Sequence, residues 1–163
     1  MIGLLAIPSF STTAEAATNA QVAAAAFGIK VVFAEAAAER DLGPAFAALV
    51  HQGAQTLLVA PDPYFNSQAT TLVALAARHA LPAIYQLREY VSAGGLMSYG
   101  TNLSQVWRLG GTYVGRILKG EKASDLPVQQ STRVELVINL KTAKALGLEL
   151  PATLLARADE VIE

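Results

Sequence analysis

Asp62, Tyr64, Phe65 and Asn66 fall within one proline-bracketed stretch, Pro61-Asp62-Pro63-Tyr64-Phe65-Asn66, and their types suit recognition of a small polar solute. An Asp carboxylate pairs with an amine, an Asn side chain hydrogen-bonds a carboxylate or amide, and aromatic rings stack on an apolar body. The same residues also suit a turn whose Asp and Asn satisfy nearby backbone groups. Ser9, Phe10 and Ser11 form a second group. Ser11 stands where a helix N-terminus offers backbone N–H groups to an anion, or where it simply caps that helix. Tyr85, Arg88 and Glu89 form a third. The planar fork of Arg88 can clamp a carboxylate, while an Arg88–Glu89 pair in solvent would contribute little. Ser98, Tyr99 and Gly100 form a fourth, with a glycine that permits close backbone approach.

None of these groups is a converging nucleophile–base or acid–base set, which points to binding without catalysis. His51 and His79 stand near helix ends and lack an acidic or histidine partner three or four residues away, so neither reads as a metal ligand or a base. There is no phosphate-cradling glycine motif, no G-x-S-x-G elbow and no cysteine, and hence no disulfide or thiolate metal site. No cofactor is expected. An enzyme using Asp62 or Glu35 as a general base is the rival reading, because an α/β architecture hosts many activities.

Each group of candidate residues follows a short apolar run. Ile2–Ile7, Val31–Ala34 and Thr56–Ala60 are near-continuous Val, Ile, Leu and Ala, the pattern of strands buried on both faces of a parallel sheet. Ligands of such sheets bind beyond the carboxyl ends of the strands. A helix from Ser11 or Thr12 to about Phe27 follows the first strand, and Asp41 and Pro44 open a second helix that ends before Gly53. After the loop Pro61–Phe65, Asn66 or Ser67 caps a third helix to about His79, and Leu81–Tyr85 is a fourth strand. The series predicts a doubly wound, mainly parallel α/β sheet of flavodoxin-like type. Beyond it lie a short helix over Gln86–Ala93, a strand at Leu96–Tyr99 and a long helix over Leu103–Lys119. A strand at Val134–Ile138, a small helix capped by Asn139, a last short helix from Pro151 and a terminal strand at Val161-Ile162 complete the chain. Trp107, on the long helix, is a candidate interface residue.

The chain has 163 residues, enough for one core, and a net charge of −1 with no basic block, which argues against nucleic-acid binding. Apolar residues make up 53%, yet no run reaches the roughly 18 needed to span a bilayer. Met1-Ile2-Gly3-Leu4-Leu5 reads as a strand and not as a signal peptide.

Three segments carry a family likeness: Gly94-Gly95-Leu96-Met97-Ser98-Tyr99-Gly100; the helix ending Gly115-Arg116-Ile117-Leu118-Lys119-Gly120-Glu121-Lys122; and Glu135-Leu136-Val137-Ile138-Asn139-Leu140-Lys141-Thr142-Ala143-Lys144-Ala145-Leu146-Gly147. With Asp125-Leu126-Pro127 and the end from Leu150-Pro151 to Val161-Ile162, the series resembles the C-terminal half of substrate-binding proteins of ABC importers, the branch with a type I periplasmic-binding fold. The resemblance implies a lobe that closes with another lobe on a small organic solute such as an amino acid. It also implies an ABC permease as partner and a periplasmic location. By that analogy residues 1–100 form a Rossmann-like lobe, and residues 101–130 a crossover helix and loop that pack on a first lobe or a partner chain. Residues 131–163 would return to the lobe and end as its tail. A homodimer through Leu103–Lys119 is then expected, with weak or no solute binding by this chain alone. A truncated remnant that dimerises and binds nothing is the further alternative.

Overall fold

The computed structural model describes residues 1–8, 11–129 and 134–163, with residues 11–16 described by their backbone alone. Strands β1 (Ile2–Ala6), β2 (Val31–Glu35), β3 (Thr56–Val59), β4 (Ala83–Tyr85) and β5 (Met97–Thr101) are all parallel, in the order β2-β1-β3-β4-β5. The expected doubly wound sheet is therefore present. β6 (Val134–Asn139) pairs antiparallel with β5, and β7 (Glu160–Ile162) runs parallel to β6. This antiparallel step brings the start of β6 to the carboxyl edge of β5, where Gly100 pairs with Glu135.

Helices α1 (Ser11–Ala25), α2 (Glu39–His51), α3 (Pro63–Ser67), α4 (Ala69–Arg78) and α5 (Arg88–Ser92) connect the parallel strands. The main core lies between the sheet and α2, α4 and α5. It holds Leu5, Phe46, Leu49, Leu57, Phe65, Leu72 and Tyr85, all buried. Burying each such side chain is worth roughly 1.5–3 kcal/mol. A smaller cluster on the opposite face, Leu4, Ala6 and Ala60, packs with Ala17 and Ala20 of α1. The remaining helices are α6 (Leu103–Leu118), α7 (Leu140–Ala145) and α8 (Ala152–Leu155). None of the described helices is long and apolar enough to cross a membrane.

Local departures from the sequence expectations have local causes. The first helix begins at Ser11 itself, and the site candidates Ser9 and Phe10 lie outside the described residues. Asp41 is not the residue before the second helix but its third: Ala38 holds the cap position, and Asp41 Oδ2 reaches back to accept from the N–H of Ala37 and Ala38 at 3.2 and 2.9 Å. Pro61–Phe65 is not simply a loop, because Asp62 caps α3 and Pro63 takes its first position, where no N–H is needed. Ala80 closes α4 with φ +50, a left-handed conformation that a β-carbon disfavours.

Candidate functional site

The carboxyl edge of the parallel strands carries a connected set of polar side chains. Asp62, directly beyond β3, is buried, and its Oδ1 accepts from the backbone N–H of Tyr64 at 2.7 Å. That bond caps α3, as weighed for this residue. One turn later, Asn66 Oδ1 accepts from Gln86 Nε2 at 2.9 Å and from the Tyr90 hydroxyl at 3.1 Å. The Asn66 Nδ2 donor and the Gln86 Oε1 acceptor have no partner among the described residues. Burial and the nearby Asp62 charge hold the Tyr90 phenol well above its usual pKa, so it stays protonated as the donor to Asn66.

A second cluster adjoins the ends of β4 and β5. Arg88, the first residue of α5, bonds Glu160 Oε2 at 2.5 Å and lies 3.7 Å from Glu135 Oε1. The hydrogen bond to Glu160 raises the guanidinium pKa most, burial opposes it, and the charges of Glu160 and Glu135 add to it. Asn102, just past β5, donates through Nδ2 to Glu135 Oε2 at 2.8 Å, and its Oδ1 caps α6 by accepting from Gln105 N. Glu89 is exposed and acts on Arg88 only through its charge, the last of the contributions that raise the guanidinium pKa.

The other sequence candidates sit deeper or elsewhere. Phe65 is fully buried in the main core. Tyr85 is also buried, stacked on Tyr90 with ring centres 4.5 Å apart and planes 10° from parallel. Burial drives its phenol pKa far upward, and its hydroxyl has no hydrogen-bond partner among the described residues. Ser98 is buried, its Oγ likewise without a partner among the described residues, while Tyr99, its neighbour on the pleat, points to the opposite face and is 61% exposed. Tyr64 is half-buried, packs against the main core and has its pKa raised by burial and by Glu39 and Asp41. Gly100 is fixed by contact: a β-carbon there would stand 1.9 Å from the carbonyl oxygen of Gln86.

The structure therefore brings together Asp62, Asn66 and Arg88 with four residues the sequence reading passed over: Gln86, Asn102, Glu135 and Glu160. Gln86 and Asn102 directly follow strands, so the strand-end rule could have found them. Glu35, the last residue of β2, is exposed and lies beyond β1 from Asp62 in the strand order.

Among the described residues the edge presents donors and acceptors, and no nucleophile there is hydrogen-bonded to a base. Among the described residues no group of His, Asp and Glu could hold a metal ion.

Residues 1–162 match the family described as ABC transporter substrate binding protein. No curated protein matches. Among solved structures, a conserved domain protein from Vibrio cholerae is 28% identical with a TM-score of 0.83, over 98% of this chain and 54% of that one. An ABC domain in complex with L-Trp from Streptococcus pneumonia is 24% identical with a TM-score of 0.83, over 99% and 56%. A ligand-free, open substrate binding protein with adhesive properties from Clostridium difficile is 24% identical with a TM-score of 0.67, over 99% and 54%. The chain thus spans about half the length of the solved structures it matches.

Proposed function

Since this chain belongs to the family of ABC transporter substrate binding proteins, we propose that it is one lobe of a solute-capture device serving an ABC permease outside the cytoplasm, in the periplasm or its equivalent. The observation that carries the reading is the polar rim at the carboxyl edge of the parallel sheet, where Asn66, Gln86 and Tyr90 are joined by hydrogen bonds. Such a rim binds by supplying a few fixed polar groups beside an apolar wall and does no chemistry of its own. Asp62, Asn66 and Arg88 face the charged and polar parts of the solute, Tyr64 and Tyr99 flank it, and Phe65, Tyr85 and Ser98 support the rim from beneath. Ser9, Phe10 and Ser11, whose side chains lie outside the described residues, remain solute-contact candidates from their place in the sequence after β1. An amino acid fits this mixture of donors, acceptors and rings, and the L-Trp held by the Streptococcus pneumonia structure makes an aromatic amino acid the first to test.

One lobe offers one wall, so solute preference for a closed form is lost and affinity is low. Residues 101–130 are read as an arm that seats on a companion lobe, here a second copy in a homodimer. Titrating L-tryptophan into the isotopically labelled chain and following amide signals tests the rim. Weak, millimolar-range shifts at the side-chain amides of Asn66, Gln86 and Asn102 are expected. Shifts confined to other parts of the molecule across a panel of amino acids would remove the rim as the site. Saturation at micromolar solute would refute the single-wall account.

A further inference from the structure

Asn66 and Gln86 each end in an amide whose oxygen and nitrogen are nearly the same size, so either amide can turn over without a clash. Their placement is otherwise fixed. Phe65, buried in the main core, and the Asp62 cap hold α3 in one rotation. The Gln86 carbonyl is pressed against Gly100, where no side chain fits. What stays open is the terminal torsion of each side chain, which is roughly two-fold.

Both hydrogen bonds to Asn66 arrive at its oxygen, from Gln86 Nε2 at 2.9 Å and from the Tyr90 hydroxyl at 3.1 Å. Asn66 Nδ2 and Gln86 Oε1 meet solvent, since the buried polar atoms without a partner among the described residues belong to Tyr64, Tyr85, Ser98 and Glu135. The rim thus shows a solute a donor at position 66 and an acceptor at position 86. Turning both amides over would exchange the two. The Asn66–Gln86 bond would survive that exchange with its direction reversed, so the pair alone does not choose between the states. Tyr90 does choose, because its hydroxyl donates to Asn66 Oδ1 and would lose that acceptor in the reversed state. A buried donor stripped of its acceptor carries the full desolvation cost of the group.

Tyr90 can impose the choice because it is held still. Only 1% of it is exposed, and its ring stacks on Tyr85 with centres 4.5 Å apart. Its backbone and the Tyr85 ring are packed against Gly95, where a β-carbon would stand 2.8 Å from the Tyr90 carbonyl oxygen and 2.8 Å from Tyr85 Cε2.

We propose that Tyr90, buried behind the rim, is a positioning residue that sets the rim's polarity: it turns the Asn66 amide nitrogen outward, so that a solute's carboxylate lies at Asn66 and its ammonium at Gln86. That role rests on the rim being the solute site, and it fixes the direction in which an amino acid lies there.

Two readouts on the isotopically labelled full chain test the role, the first without solute. Tyr90→Phe keeps the ring and removes the hydroxyl, and its native circular dichroism is checked first. In the parent, scalar coupling across the hydrogen bond is expected between Gln86 Nε2 and the side-chain carbonyl carbon of Asn66. In the variant that coupling should weaken and be joined by its reverse, from Asn66 Nδ2 to the side-chain carbonyl carbon of Gln86. A parent dominated by the reverse coupling overturns the proposal, and so does a variant whose couplings match the parent's. The second readout titrates indole-3-propionate, which keeps only the carboxylate, and tryptamine, which keeps only the ammonium. In the parent, indole-3-propionate should move the Asn66 amide protons more than those of Gln86. In Tyr90→Phe that preference should fall by roughly 2- to 10-fold, the worth of one hydrogen bond. A merely structural role would weaken all shifts together and leave the preference intact. If neither solute moves either amide in the parent, the rim reading itself fails. If solutes bind there with the same preference in parent and variant, only the role of Tyr90 fails.

Discussion

In the strand-and-helix body Phe46 and Phe65 lose all solvent exposure, whereas in α6 Trp107 and Leu118 keep 75% and 82% of theirs. Both regions are apolar, and both follow clean helical or strand periodicity. They differ in where the partner of each apolar face lies. In the body, each β-strand meets its neighbour and each helix meets the sheet within the same chain. In α6 the stripe is just as regular, but none of its residues is buried by the described residues. Amphipathic pattern thus reports that a face will be buried and says nothing about which molecule buries it.

The largest expected effect breaks the body. Phe65→Ala removes a fully buried ring from the main core and should cost about 3–5 kcal/mol, read as a lower urea midpoint at unchanged slope. Gly100→Ala comes next. Its new methyl meets the Gln86 carbonyl, so the ends of β4 and β5 must separate, at a cost of about 1–3 kcal/mol. That separation also displaces Gln86 from Asn66, so the variant should lose solute-induced amide shifts even where it remains folded. If Phe65→Ala were neutral, the main core would not be the source of stability and the contrast with α6 would dissolve.

The body was readable because its signals are local. Val31–Ala34 and Thr56–Ala60 announce strands, although Val31, Val32 and Phe33 are only half-buried because β2 is an edge strand, and the glycines at positions 28, 53 and 120 announce helix ends. What escaped was set by distance along the chain or by a single turn of backbone. Arg88 bonds Glu160, 72 residues away, through a strand pair whose antiparallel direction no local pattern reveals. Phe65 looks like a ligand-stacking ring in sequence, but in a five-residue helix one turn of rotation decides between rim and core, and here it enters the core. The Asp-Pro pair at 62–63 is itself a helix-start signal, and reading it as a turn hid α3. The bareness of α6 was accessible only through likeness to a larger two-lobed family.

Smaller substitutions sharpen the contrast. Ala80→Gly relieves the left-handed conformation at the end of α4 and should stabilise the body by up to about 1 kcal/mol, seen as a rise in Tm. In α6, Ile117→Ala should change the stability of the dilute single chain by about 1 kcal/mol or less, since the residue is already 44% exposed. Equal costs for Ile117→Ala and for a core truncation under those conditions would mean that α6 folds back onto its own body.

The smallest expected effect lies at the far end of the same arm, where Arg116 grips Glu121. Arg116 Nε donates to Glu121 Oε2 at 2.6 Å and Nη2 bonds the other carboxylate oxygen, holding the helix end to the turn after it. The hydrogen bond from Arg116, followed by its charge, lowers the Glu121 carboxyl below its ordinary 4.5 despite some opposing desolvation. A carboxyl with a lowered folded pKa binds its proton less readily in the folded arm than in the unfolded one. Its stabilisation is therefore fully present above the ordinary value and is lost as pH falls through the lowered one. Both groups meet solvent, so salt screens the pair and its contribution is slight. Glu121→Gln should leave the unfolding of the body unchanged at neutral pH and remove only the small loss of helical signal that the parent chain shows between neutral pH and strongly acidic solution. If that substitution instead lowered the midpoint of the body, the arm and the body would unfold as one unit, and the contrast between a self-covered region and a borrowed one would not hold.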